Sequence, residues 1–143
     1  MIKAVLDTNV IVSALINPNG IPGQILNLVL NGKITIFYDN RILSEYIDVL
    51  RREKLGFEDD WVNTFTDFIK NEGEFAVTEP LNIPFEDEED KKFLEAAKSD
   101  KAIFLVTGNK RHFPKDRITV TPKEFMELYN NQQAQTSVPG DTG

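Results

Sequence analysis

The stretch MIKAVLDTNVIV, residues 1–12, places a carboxylate directly after an apolar run. Residues 2–6 have the composition of a buried β-strand, and the apolar residues that follow Asp7 favour a short helix ending near Asn17. Burying a carboxylate is costly unless it is paired or binds a metal ion. Asp7 therefore either caps the following helix or belongs to a functional site.

Strands and helices alternate along the rest of the chain. Apolar spacing and turn residues predict further strands over residues 33–38, 75–78, 102–107 and 118–120, and helices over 24–30, 41–54, 58–72, 86–99 and 122–129. Asp39 or Asn40 is the expected cap of the helix over 41–54, and Thr121 and Glu124 have the spacing of a capping box. The alternation predicts an α/β fold, a three-layer α/β/α sandwich with a mainly parallel central sheet of four to five strands.

Composition limits the class of protein. The chain has 143 residues, 41% of them hydrophobic, which suits one domain, expected over residues 1–130. Residues 131–143 have little apolar surface to bury, and this composition predicts a flexible tail. The absence of cysteine excludes disulfides, thiolate metal sites and thiol catalysis.

Charge and hydropathy bear on location and partners. No signal-peptide pattern and no membrane-length apolar stretch is visible, so we expect a cytoplasmic protein with no membrane contact. The net charge of -7 argues against a broad basic surface for nucleic acid. It does not exclude a nuclease whose metal ion attracts phosphate locally.

Asp90 lies in the middle of the apolar stripe of the predicted helix over residues 86–99. A carboxylate on the face that should pack against the sheet suggests a ligand, although an acid in a first helical turn is also favoured by the helix dipole. The opposite side, which we expect to be solvated, carries Glu88, Lys92 and Glu95.

Glu45 lies at the edge of the apolar stripe of the helix over residues 41–54. Its side chain either reaches a cleft or forms a weak surface pair with Arg41 or Arg52. A functional role for Glu45 is favoured only if Asp7 and Asp90 lie close to it.

The strand over residues 102–107 ends in Thr107, Gly108 and Asn109. Gly108 permits a close backbone approach or a positive φ, and its neighbours offer uncharged oxygen atoms, although an ordinary turn explains the same residues. Ligands of open parallel sheets bind beyond the carboxyl ends of the strands, where Asp7 and Asn109 are expected.

Asp7, Glu45, Asp90 and Asn109 together offer only oxygen donors, which suit Mg²⁺ or Mn²⁺. Such ions neutralise phosphodiester oxygens and activate water, so the set predicts metal-dependent hydrolysis. A basic cluster follows, and either contacts phosphates or is a solvated loop: Lys110, Arg111, Lys115 and Arg117. His112 is the sole histidine and is not predicted to be a general base.

Four motifs, in their order and spacing, resemble those of PIN-domain ribonucleases, more narrowly the VapC-type toxin component of toxin-antitoxin systems. They are VLDTNV at residues 5–10, ILSEY at 42–46, DKKFLEAA at 90–97 and LVTGN at 105–109. The resemblance implies a PIN-like fold and a Mg- or Mn-dependent endoribonuclease that hydrolyses RNA by metal-activated water. It also implies a homodimer and a cognate antitoxin protein that covers the cleft.

By this resemblance the catalytic, metal-binding acids are Asp7, Glu45 and Asp90. The residues that support the site by hydrogen bonds are Thr8, Asn9 and Thr107. Asn109 departs from the pattern because many members have aspartate there, so it completes or tunes the metal shell, and Asp116 is a candidate substitute acid.

Two functions of other classes stay open. A catalytically weak PIN-like module would use the acidic cleft to bind a basic protein partner, a function that the neutral Asn109 would permit. A phosphatase would use Asp7 as its nucleophile. Asn9 disfavours that function, because haloacid-dehalogenase-type phosphatases have a second aspartate at that position.

Overall fold

A parallel sheet of five strands runs through residues 1–136, the part of the chain that the computed structural model describes. The strands are β1 (Ile2–Leu6), β2 (Ile34–Tyr38), β3 (Glu74–Phe75), β4 (Ile103–Val106) and β5 (Thr119–Val120). Their order across the sheet is β3-β2-β1-β4-β5, and every neighbouring pair is parallel. The predicted parallel sheet is confirmed.

Six α-helices flank the sheet within the same residues. They are α1 (Thr8–Ile16), α2 (Ile21–Leu30), α3 (Asn40–Leu50), α4 (Asp59–Glu72), α5 (Lys91–Ala97) and α6 (Pro122–Thr136). α2 contacts α1 and α6, and α3 contacts α1, α4 and α5. The architecture is the α/β sandwich expected from the sequence. Over the described residues, no helix has the length and apolar character needed to cross a bilayer.

Two predicted helix caps are present. The Asp39 side chain accepts a hydrogen bond from the backbone N–H of Ile42 at 3.0 Å, which fixes the start of α3. At the start of α6, the Thr121 hydroxyl accepts from the Glu124 N–H at 3.1 Å, and the Glu124 carboxylate accepts from the Thr121 N–H at 2.8 Å. This reciprocal pair is the capping box that the sequence predicted.

Several element boundaries differ from the prediction. α2 begins at Ile21 rather than at residue 24, because proline is tolerated in a first helical turn and Pro22 lies there. α3 ends at Leu50, and a short 3₁₀ turn, Glu53–Leu55, follows it. β3 is confined to Glu74–Phe75.

The last helix extends beyond its predicted end. α6 continues to Thr136, although residues 131–135 are exposed and bury no apolar face. The predicted end of the helix near residue 129 is therefore wrong. Of the predicted tail, residues 137–143 lie outside the described residues.

α5 differs most from its predicted form. It covers only Lys91–Ala97 and follows a 3₁₀ turn, Glu88–Asp90. It contacts β1, β2, β4 and α3, so every residue from 92 to 97 is buried. The expectation that Lys92 and Glu95 are solvated is wrong, whereas Glu88 is exposed as expected.

The strand order reverses between β1 and β4. From β1 the chain builds the sheet outward through β2 and β3, then returns through α5 to place β4 on the other side of β1. Ligands of open parallel sheets bind at such a switch point, beyond the carboxyl ends of the two strands. Asp7 follows β1 there and donates its backbone N–H to the Val106 carbonyl at 3.0 Å.

Candidate functional site

A cleft of about 910 Å³ opens at the switch point. The predicted site residues that line it are Asp7, Thr8, Asn9, Glu45, Asp90 and Asn109. Its eight carboxylates are those of Asp7, Glu45, Asp48, Asp87, Glu88, Glu89, Asp90 and Glu95, against four basic side chains, those of Arg41, Arg52, Lys91 and Lys92. The structure thus brings the predicted acids into one strongly acidic concavity.

Asp7 is 6% exposed and occupies the N-cap position of α1, yet its side chain makes no capping hydrogen bond. Instead, the Thr107 hydroxyl donates to Asp7 Oδ2 at 2.8 Å. Burial raises the pKa of Asp7, the hydrogen bond from Thr107 opposes that rise, and the negative charge of Glu45 adds to it. The backbone N–H groups of Asn9 and Thr8 also lower the pKa of Asp7, so its carboxylate faces both Thr107 and the start of α1.

Thr107 joins the exits of the two central strands. Its buried hydroxyl donates to Asp7 and accepts the backbone N–H of Asn109 at 3.0 Å. Gly108 has no positive φ, and a Cβ built on it would meet nothing within 4 Å. Of the two alternatives for Gly108, these observations favour the ordinary turn, in which the Thr107 hydroxyl holds the loop that carries Asn109 into the cleft.

Glu45 pairs with neither Arg41 nor Arg52. The Thr8 hydroxyl donates to Glu45 Oε2, and Lys92 Nζ lies 2.8 Å from Glu45 Oε1. Burial lowers the pKa of Lys92. The hydrogen bond and the charge of Glu45 raise it by more than burial lowers it, so the net shift is upward. A buried ammonium ion therefore neutralises one of the site acids.

A second ion pair lies beside the first. Arg41 Nη1 lies 2.7 Å from Glu95 Oε1, and Arg41 Nη2 lies 2.7 Å from Asp39 Oδ2. Glu95 is buried and also accepts the backbone N–H of Leu81 at 2.8 Å, which fixes the loop before α5. The sequence prediction missed this network.

The spacing of charges along α3 and α5 is a sequence signal for the ion pairs Lys92–Glu45 and Arg41–Glu95. Arg41 and Glu45 stand one helical turn apart on α3, and Glu95 and Lys92 stand one turn apart on α5 with opposite signs. The pattern is complementary only when the two helices are known to contact each other, as they do here. It therefore required the tertiary structure.

Asp90 lies where the 3₁₀ turn meets α5, and it makes no capping hydrogen bond. Its pKa is raised to about 6, mainly by burial and then by the negative charges of Asp7 and Asp87. The charge of His112, which also lines the cleft, lowers it. Asp90 and Asp7 thus lie close enough to repel each other.

We expect Asp90 to make the metal-free protein less stable as the pH rises. The folded protein binds this proton more tightly than the unfolded chain, whose Asp pKa is 3.8. The stabilisation is fully present below that value and is lost as the pH passes through about 6. After allowance for solvent screening we expect a change of about 1 kcal/mol.

Urea denaturation in EDTA at about pH 5 and about pH 8 measures this change. Relative to the wild type, Asp90→Asn should be more stable at the higher pH than at the lower one. Subtracting the wild-type stability at each pH cancels the contributions of the other acids. A constant difference between the two proteins across that range would contradict the expectation.

The predicted basic cluster lies beside the cleft rather than in it. Lys110 pairs with Glu124 at 3.0 Å, and Arg111, Lys115 and Arg117 are exposed. None of the four lines the cleft. Asp116 does not line it either, because it pairs with Lys98 at 2.6 Å, so the suggestion that Asp116 replaces an acid at position 109 is wrong.

The chemical type of the donor atoms in the cleft suits a hard divalent cation. They are carboxylate and amide oxygens, and a cation would oppose the burial and, secondarily, the repulsion that raise the pKa of Asp7 and Asp90. In the described part of the chain, however, no three acidic or histidine side chains already form a metal-ligand group. Lys92 instead supplies positive charge beside Glu45.

Comparison with known proteins agrees with this geometry. The sequence model of the PIN domain matches residues 3–111, which include every acid proposed for the site. A protein of Methanocaldococcus jannaschii, described as uncharacterized protein MJ1680, is 37% identical over 144 residues, covering 90% of this chain and 92% of the relative. The chain therefore belongs to the PIN domain family.

Proposed function

We propose that this protein is a metal-dependent endoribonuclease. PIN domains are generally nucleases that use divalent metal ions, which makes nucleic acid the class of substrate. The observation that carries the proposal is the buried Asp7 carboxylate at the switch point, held by Thr107 and close to Asp90. A fold needs no such acid for stability, because burying it is unfavourable.

The proposed ligands of the ion are Asp7, Glu45 and Asp90, with Asn109 as a neutral oxygen donor. When bound, Mg²⁺ or Mn²⁺ neutralises the phosphodiester oxygens and lowers the pKa of the attacking water. Thr107 orients Asp7, and the Thr8 hydroxyl orients Glu45. Lys92 offsets the charge of Glu45, which keeps the acids together before an ion binds.

The motif resemblance supports a narrower proposal as well. In it the protein is the toxin of a toxin-antitoxin pair, acts as a cytoplasmic homodimer and is inhibited by a cognate antitoxin that covers the acidic cleft. The eight carboxylates of the cleft would suit basic side chains on that partner.

Incubation with a panel of structured and single-stranded RNAs tests the activity. We expect internal cleavage in Mg²⁺ or Mn²⁺ and no cleavage in EDTA, because the acidic cleft alone repels phosphate. Isothermal calorimetry with Mn²⁺ should show binding that Asp90→Asn weakens. Cleavage that persists in EDTA, or Mn²⁺ binding that is indifferent to Asp90→Asn, would remove the main support for the proposal.

A further inference from the structure

A second concavity, here called the basic groove, lies next to the cleft and has a volume of about 860 Å³. Its lining comes from residues 110–119 and includes Lys110, Arg111, Phe113, Lys115, Arg117 and Thr119. The 3₁₀ turn Lys110–His112 separates the two concavities, since His112 lines the cleft while Lys110 and Arg111 line the groove. A ligand that crosses this turn would occupy both.

The groove and the cleft have opposite charges. Four basic side chains line the groove against the single carboxylate of Asp116, which is already paired with Lys98. Lys110 is paired with Glu124, but no ion pair involves Arg111, Lys115 or Arg117 within residues 1–136. Three uncompensated cations thus stand beside a cleft that repels polyanions.

Apolar side chains form part of the groove wall, where Phe113 is 6% exposed and Pro114 is half-buried. Phe113 and Pro114 line it, and Phe113 is held in place by an edge-on contact with Phe85 at 6.1 Å between ring centres. Cations around an apolar wall suit an unpaired strand, whose phosphates and exposed bases need both kinds of surface. A duplex hides its bases and would contact the cations alone.

Thr119 gives an independent indication of a ligand. Its side chain is 2% exposed, and its hydroxyl is the one buried side-chain polar atom without a hydrogen-bond partner in the described part of the chain. Leaving such a group unsatisfied is unfavourable, so a native structure usually supplies it with a partner. Thr119 lines the groove, where a bound nucleotide or its water would be that partner.

We propose that the basic groove binds a single-stranded segment of the RNA substrate and delivers the adjoining phosphodiester to the acidic cleft. In this arrangement the groove supplies metal-independent affinity, and the cleft supplies the metal-dependent reaction. The proposal rests on the proposed ribonuclease function for the identity of the strand. Its binding step is measurable without any hydrolysis.

The test is fluorescence anisotropy with the full chain in EDTA and a labelled oligouridylate of about 12 nucleotides. We expect Lys115→Glu/Arg117→Glu to lose at least about tenfold in affinity and to reduce the salt dependence of binding. Lys33→Glu/Lys70→Glu is the matched control, because both lysines are exposed and the change in net charge is the same. The control should stay within about threefold of the wild type.

Equal losses of affinity in the two double variants would overturn the proposal, because they would show a general effect of net charge. Wild-type affinity in Lys115→Glu/Arg117→Glu would overturn it as well. Displacement of the RNA by polyglutamate at a similar concentration would assign the groove to an acidic protein partner instead. Thermal melts of both variants should match the wild type. RNA binding without hydrolysis in Mg²⁺ would reject the nuclease function and leave the groove intact, so the two failures are distinguishable.

Discussion

The Asp7→Asn substitution is expected to lower kcat/KM for RNA hydrolysis in Mn²⁺ by about 100- to 1000-fold. A metal ion contributes several kcal/mol to stabilising the charge of the transition state, and each 1.4 kcal/mol lost is about tenfold in rate. Asp7 is the most buried of the proposed ligands, and its carboxylate accepts a hydrogen bond from the Thr107 hydroxyl. Losing the Asp7 carboxylate should therefore weaken binding of the metal ion more than losing an exposed carboxylate would.

Stability measurements separate this effect from unfolding. The amide of asparagine can still accept the hydrogen bond from Thr107, and it has no charge to bury. Asp7→Asn should therefore melt in EDTA at the same temperature as the wild type or higher. The increase in melting temperature that Mn²⁺ gives the wild type should be absent from the variant.

Asp48→Asn is the matched control for this experiment. Asp48 also lines the cleft, but its side chain is 78% exposed and its one ion pair within residues 1–136, with Arg52, spans 3.8 Å. It should retain activity within about threefold of the wild type, because an exposed pair contributes little. An Asp7→Asn variant as active as Asp48→Asn would exclude Asp7 from the reaction.

The sequence predicted those parts of the site that follow from strand ends. Asp7 and Thr107 each come directly after a strong apolar strand, and parallel pairing places such residues at the same edge of the sheet. The strand order then makes that edge a switch point. Hydrophobic periodicity and the rules for parallel sheets were sufficient for this result.

The polar network between α3 and α5 could not be predicted in the same way. A helical wheel assumes one buried face, but Lys92–Ala97 are buried on all sides. Lys92 and Glu95 are tolerated there because Glu45 and Arg41 neutralise them. Such compensation depends on which helices pack together, a property of the tertiary structure that a single helix does not carry.

Arg41→Met is expected to lower the free energy of unfolding by about 2–3 kcal/mol. The substitution leaves the buried carboxylates of Asp39 and Glu95 without their cation. Removing one partner of a buried ion pair costs about 3–5 kcal/mol, and the expected value here is smaller because Arg41 is half exposed and water can replace part of its contact. Urea denaturation measures the loss.

Two comparisons show whether buried charge is the cause. Arg52→Met removes the same side chain from an exposed pair with Asp48 and should cost no more than about 0.5 kcal/mol. Adding Glu95→Gln to Arg41→Met removes one stranded carboxylate, so the double variant should be more stable than the sum of the two single losses predicts. Strict additivity would mean that the pairing of Arg41 with Glu95 contributes nothing measurable, and that Arg41 stabilises the fold through Asp39 or through packing of its methylene groups.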